Sequence, residues 1–420
     1  MTEHDDDLTT QLTRSLTDRS DVMSGTSFGL AEVKGRARSL RRRRMATAVV
    51  GAAAAVAVII PTVALASHTG GSNNEPAPIT QTPSPTQAAT DDGHQPSPGV
   101  LDVSDLPTGE APSIEYVTAG KVLHQVDGST VDIPTRQPVS SFAVLSNGTH
   151  VWQTADDQGH AWIEVEDAAG HLQAPLPSSF GLSVTRSHDA AAWVQPNGQV
   201  MVMSVGATEP LAYGDPVPAG DDLRMGPFLG DDCGGPADSC EVYVNVSQRA
   251  APQPWVVSVN GTEPARDGGY LFLADATESG LSVGYTKLTD SGSCSRLLGG
   301  GEFQGFQTCQ HTLTSLSPDG RLILADPAYH DGIGNGVIAM YDLEGNRLFD
   351  RHSTEDAQSF YPGAEWEDDT HVLAPVFQAG QWSIVRVASD SSMEYAVPPV
   401  AGEDVANPFV LSVGGLVLGD

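Results

Sequence analysis

The stretch Leu316-Ser-Pro-Asp-Gly-Arg-Leu-Ile-Leu-Ala325 decides how the larger part of this chain is read. Ser317, Pro318, Asp319 and Gly320 fit the four positions of a type I turn in order, with Pro presetting φ at the second and Gly ending it. Leu313-Thr-Ser-Leu316 before the turn and Leu322-Ile-Leu324 after it are β-prone, so the turn folds two strands back on each other.

The same beat of strand, tight turn and strand returns along the chain. Phe142-Ala-Val-Leu-Ser-Asn-Gly148 precedes Val151-Trp152, and Leu182 to Asp189 precedes Ala192-Trp193-Val194. Phe228 to Asp232 leads to Val242-Tyr-Val244, Leu271 to Asp275 leads to Leu281-Ser-Val283, and Ala364 to Asp369 leads to Val372-Leu373; Phe409 to Val413 closes the series. Third strands follow at Ala161-Trp-Ile-Glu-Val-Glu166, Val200-Met-Val-Met-Ser-Val205, Trp255-Val-Val-Ser-Val259, Val337-Ile-Ala-Met-Tyr341 and Trp382-Ser-Ile-Val-Arg-Val387. The beats recur at about 40 to 50 residues, a period expected of propeller blades. No segment after Ser104 has a helical period, so the fold class is all-β.

The Leu316 motif resembles the repeat signature of the TolB and WD40-like β-propellers, and the likeness extends by pattern, more than by identity, over the head from Ser104. There are seven first-strand beats. The seventh lies at the C-terminus, while Ile114-Glu-Tyr-Val-Thr118 and Lys121-Val-Leu-His-Gln125 supply strands at the start. One blade is therefore expected to be shared by the two ends, which removes exposed sheet edges. Seven blades are expected; six or eight are the alternatives, because blades four and five are irregular. The six tryptophans, at 152, 162, 193, 255, 366 and 382, fall at strand positions and are expected to fill space between blades.

Ahead of the head, Met45 to Ala66 carries no charge and follows Arg41-Arg-Arg-Arg44. About 20 apolar residues in a helix span a ~30 Å hydrocarbon layer, and the Arg cluster keeps its end in the cytoplasm. The expected order is a cytoplasmic tail of short helices (1–44), a transmembrane signal-anchor helix (45–66), a disordered Pro/Thr/Ser-rich linker (67–103) and an extracytoplasmic propeller (104–420). The alternative is a signal peptide cleaved after Ala66, which leaves a secreted head. The tail holds no Cys, which removes a zinc-binding anti-sigma domain of the usual kind.

On that topology all four cysteines lie outside the cell, where thiols are oxidised. Of the three possible pairings the local one is expected, Cys233 with Cys240 and Cys294 with Cys309; neither pair has the Cys-x-x-Cys spacing of a zinc site. The chain carries 21 Lys or Arg against 53 Asp or Glu, net −32; residues 1–44 hold 9 basic and 7 acidic residues, so the part beyond the anchor holds 12 against 46, net −34. Such a surface repels nucleic acid and anionic lipid, and leaves a solvated acidic exterior or a basic partner as readings. Lys stands only at 34, 121 and 287. That usage is associated with GC-rich bacterial genomes, where the Asn-x-Ser/Thr triplets at Asn147, Asn245 and Asn260 carry no glycan signal; in a eukaryotic secretory protein they mark exposed acceptors.

Motifs that spell chemistry lack the context for it. Gly280-Leu-Ser-Val-Gly284 has the spelling of an α/β-hydrolase nucleophile elbow, but strand follows Ser282 where that elbow needs a helix. Ser187-His-Asp-Ala-Ala-Ala-Trp193 resembles a sialidase Asp-box, with Ala191 where the box needs Gly. Asp326, His330 and Asp331 before Gly332 form an acidic loop that suits Ca²⁺ or, more simply, solvent. His124, His150, His160, His171, His188, His311, His352 and His371 are scattered without metal-ligand spacing. No catalytic, cofactor or metal residues are assigned. The expected function is a non-enzymatic, membrane-anchored module that binds or senses a protein, peptide or cell-wall ligand; the alternative is a hydrolase or lyase using acidic residues at the propeller channel.

Overall fold

The computed structural model describes residues 98–413, apart from 157, 180, 219–221, 232, 235–238, 248–251, 266–268, 290–291, 300–304 and 330–333. The cytoplasmic tail, the apolar segment 45–66 and the linker up to 97 lie outside the described residues. Among the described residues no helix is long and apolar enough to cross a membrane.

The described strands form seven sheets, each a blade of a seven-bladed β-propeller. Blade one pairs Phe409–Leu411 from the C-terminus with Tyr116–Thr118, Val122–His124 and Thr130–Asp132. Blade two runs from Val139–Val144 to Leu176–Ser178, blade three from Ser183–Val184 to Leu211–Tyr213, and blade four from Asp222–Leu229 to Gly261–Pro264. Blade five runs from Phe272–Ala276 to Phe306–Thr308, blade six from His311–Leu316 to Arg347–His352, and blade seven from Glu365–Trp366 to Met393–Ala401. First strands of neighbouring blades lie side by side, as Phe272–Ala276 does with His311–Leu316.

One turn builds the first hairpin of several blades. The N–H groups of Gly148, His188, Gly280 and Gly320 donate to the carbonyls of Leu145, Thr185, Thr277 and Ser317, each three residues earlier, at 2.8 to 3.0 Å. The donor residue sits in the left-handed region, at φ +82°, +85° and +71° in the glycines and +58° in His188. Glycine adopts that region without steric cost. In three of the four the residue opening the turn adds a hydroxyl: Thr185 Oγ1 accepts from Asp189 and Ala190, Thr277 Oγ1 from Leu281, and Ser317 Oγ from Arg321 and Leu322; in the turn opened by Leu145 it is Asn147 Oδ1 that accepts, from Thr149. The elbow spelling around Gly280 and the Asp-box spelling around His188 are both copies of this turn.

Packing fills the spaces between blades. Phe142 and Trp152 of blade two close on Val117, Leu123 and Ile133 of blade one, and Trp193 and Trp382 occupy the corresponding seams between blades two and three and between seven and one. Blades four and five are joined differently. Asn245, 1% exposed, donates from Nδ2 to the carbonyl of Leu273 and accepts the Leu273 N–H on Oδ1, at 3.0 and 2.8 Å. Its carboxamide is thus committed to the neighbouring strand, and the triplet there is no exposed glycan acceptor.

The register slips between Met225 and Phe228 in blade four, and between Leu273 and Asp275 and between Tyr285 and Lys287 in blade five. Register slips in these two blades are shared with others, at Val139/Ser141 in blade two, Leu313/Ser315 and Met340/Tyr341 in blade six and Trp382/Ile384 in blade seven. Each slip is a bulge that breaks the period-two pattern. Both disulfides lie in blades four and five: Cys233–Cys240 closes the first hairpin loop of blade four, and Cys294–Cys309 ties the last two strands of blade five.

The folded head starts earlier than Ser104. Gly99–Val100 adds a fifth, parallel strand to blade six beside Arg351 and His352, and Leu101 and Val103 are buried against blades six and seven. The same segment then crosses blade seven, where the Gly109 N–H donates to the Tyr395 carbonyl, the Tyr395 N–H donates to the Pro107 carbonyl, and Arg386 holds Glu367, Glu394 and the carbonyls of Glu110 and Ala111. Two residues of strand after a proline-rich run give no periodic signal, which is why the boundary at 103 falls too late.

Asn245→Ala leaves the buried N–H and C=O of Leu273 without partners, so it is expected to destabilise the head by about 3 kcal/mol. Chemical denaturation should show the midpoint falling at constant slope. An unchanged midpoint contradicts the bridging role.

Candidate functional site

A cleft of about 320 Å³ opens between blades one and two. Leu123, Val131 and Ile133 of blade one and Val144 of blade two give it apolar walls, while Glu115, Asp132, Glu166 and Asp167 bring four carboxylates to it. Among the described residues no lysine or arginine lines it. Low-dielectric walls carrying charge of one sign concentrate the field, so the cleft attracts a cation.

Three of the four carboxylates, those of Glu115, Glu166 and Asp167, are held by neighbouring groups. His150 opens the second strand of blade two and stacks flat on Trp152, with ring centroids 4.7 Å apart and planes within 2°. Trp152 stacks in turn on Phe142 at 5.2 Å. Across the seam, Glu115 Oε2 meets His150 Nε2 at 3.0 Å, and the Trp152 indole N–H donates to Glu166 Oε2 at 3.0 Å. Asp167 accepts the His171 and Ala169 N–H groups, which hold its carboxyl below the ordinary range. The cleft therefore presents oriented acceptors beside an aromatic stack.

A second polar constellation crosses the axial channel. Arg186, on the first turn of blade three, donates from Nη1 to the carbonyls of Ser317 and Pro318 in blade six, at 2.8 and 3.1 Å, and from Nη2 to Asp275 Oδ2 of blade five at 3.3 Å. Asp275 also accepts the N–H groups of Leu316 and Ala276 at 2.8 and 2.7 Å. Burial pushes its carboxyl above the ordinary carboxylate range, and Arg186 and these N–H groups offset part of that push. The described carboxyl with a raised pKa thus sits under an arginine at the channel and not in the cleft.

The singled-out residues disperse. Ser282 begins a blade-five strand, and its hydroxyl meets Tyr270 Oη at 3.1 Å. Asp326 is buried and bonded to Asn335 and Tyr361, at 2.8 and 2.6 Å; residues 330–333, with His330 and Asp331, lie outside the described residues. His160, His171 and His371 pair with the aspartates of their own turns, His188 with the carbonyl of Val144, and His124 with Thr118. His311 and His352, 41 positions apart in the chain, converge on Asp350. Sequence gave no sign of the cleft, because Glu115 and His150 become neighbours only across a blade seam.

No protein-family model matches the chain, and no curated protein sequence matches it. Solved structures similar to it include the β-propeller domain of Myceliophthora thermophila Cps50 (Swd1), at 8% identity and TM-score 0.41 over 64% of this chain and 88% of that one. The propeller domain of the Trilobed protease from Pyrococcus furiosus, described as having an open velcro topology, matches at 10% and 0.41 over 62% and 84%. YCF48 bound to D1 peptide matches at 11% and 0.42 over 69% and 88%.

Arg186→Ala removes the cation over a buried carboxylate and should cost about 2 kcal/mol at neutral pH. The folded-state pKa of Asp275 lies above its unfolded value, so the fold favours the protonated form, and stability falls as pH rises through that pKa. Losing the arginine raises the pKa further. The Tm gap between R186A and the parent protein should be smallest near pH 4 and widen toward pH 8. A gap independent of pH contradicts the pairing.

Proposed function

We propose that this protein is a single-pass membrane protein whose propeller lies outside the cytoplasm and binds a protein, peptide or cell-wall ligand without transforming it. The cleft between blades one and two carries the reading. Its four carboxylates, with no lysine or arginine among the described lining residues, suit a cationic group on an apolar stem, such as a lysine or arginine side chain or the free amine of a peptide. Binding is favoured over hydrolysis because Glu115 and Glu166 are held by the rings of His150 and Trp152, while Asp275 is held by Arg186. The membrane part rests on the uncharged run 45–66 behind four arginines.

Anisotropy titrations of the full chain in detergent with a labelled Lys-rich peptide and a Glu-rich peptide of equal length test the binding. The Lys-rich peptide should bind more tightly, weaken with salt, and lose about tenfold in affinity to Asp132→Asn, or ~1.4 kcal/mol. Equal binding of both peptides, or no effect of D132N, contradicts the cleft as the site. For topology, a membrane-impermeant thiol reagent on intact cells should label Ser72→Cys and spare Ser24→Cys. The reverse pattern ends the orientation proposal.

A further inference from the structure

We propose that blade six carries a binding site for a divalent transition cation of the zinc class, formed by His311, Asp350 and His352. One ligating atom of each lies within 4.8 Å of those of the other two. Asp350 Oδ2 stands 3.0 Å from His352 Nε2 and 3.9 Å from His311 Nε2. Ligands about 2.0–2.2 Å from a tetrahedral ion lie ~3.4 Å from one another, so small side-chain rotations close the set. Two imidazoles and one carboxylate select zinc-like ions over Ca²⁺ or Mg²⁺, which prefer oxygen.

An independent observation points the same way. Asp350 is 2% exposed, and its Oδ1 is buried with no hydrogen-bond partner among the described residues. Native folds rarely leave such an oxygen uncompensated, and a cation satisfies it. Arg347 donates to the other oxygen, Oδ2, at 2.8 Å. Oδ2 also receives the His352 contact, so an ion taken up between the two imidazoles displaces that contact and reaches Oδ1 by rotation of the carboxylate, while Oδ2 stays on Arg347, whose charge weakens cation binding.

The surroundings supply orientation and access. His311 is buried, and its Nδ1 lies 2.6 Å from Tyr341 Oη, which turns Nε2 toward Asp350. Metal-bound imidazoles are usually held in this way through the second ring nitrogen. The His352 side chain is 41% exposed, so it offers an entry path, and a fourth position remains for water or a ligand atom. The fold creates the site: His311 opens the innermost strand of the blade, while Asp350 and His352 end the outermost of its four sequential strands.

The full chain, stripped with EDTA and dialysed, is titrated with ZnCl₂ by calorimetry and with CoCl₂ by visible absorption. One equivalent should bind, Co²⁺ should show the intense ligand-field bands of a low-symmetry site, and a hundredfold excess of Zn²⁺ over Kd should raise Tm by about 5 °C. His352→Ala and His352→Gln, substitutions at a half-exposed side chain, should keep the metal-free Tm and lose both the bands and the shift; His371→Ala should retain them. Absence of stoichiometric binding, or binding that survives both His352 variants, overturns the proposal.

Discussion

The pairing of Phe409–Leu411 with Tyr116–Thr118 holds the rest of the molecule in place. A propeller is a sheet stack bent into a ring, and every seam between blades is buried only if the ring shuts. Here the innermost strand of blade one comes from the C-terminus and the other three from the N-terminal side, so the ends of the head are joined by backbone hydrogen bonds. The bond from Ser412 N–H to the Glu115 carbonyl and that from Ala119 N–H to the Pro408 carbonyl flank the paired strands. A strap reinforces the closure: residues 99–113 run along blades six and seven, and Arg386 pins them with Glu367 and two main-chain carbonyls.

Closure also makes the cleft. Glu115 immediately precedes the strand that pairs with the C-terminus, and its partner His150 belongs to blade two. If blade one opened, the carboxylate wall would separate from the aromatic stack of His150, Trp152 and Phe142. The channel is tied by another means, with Arg186 reaching from blade three to blades five and six. The cleft and the Arg186 cluster thus draw on separate sets of charges, and aspartates also serve the hairpin turns. Asp156 accepts the N–H groups of Gln158 and His160, as Asp167 accepts those of Ala169 and His171.

What could be read from sequence was what repeats locally. The turn at Ser317 to Gly320 announced the blades because the left-handed position favours glycine and a hydroxyl at the opening position, present in three of the four such turns, caps the strand that follows, and the blade shared between the two ends followed from counting. The same rule explains why His188, in the glycine position, disguised a blade turn as an enzyme motif. Contacts across seams left no comparable trace. Asn245 looked like a glycan triplet and is a buried bridge to Leu273; Glu115, His150 and Trp152 are ordinary strand residues until the ring brings them together. His311 and His352 share no ligand spacing because a whole blade intervenes.

Native-state hydrogen exchange of the Ala119 and Ser412 amides tests the closure most directly. Both should exchange only through global unfolding, with the same free energy as amides in the middle of blade seven, such as that of Val385. Exchange of Ala119 and Ser412 through a low-energy local opening, while blade seven stays protected, would contradict the claim that this strand pair shuts the ring.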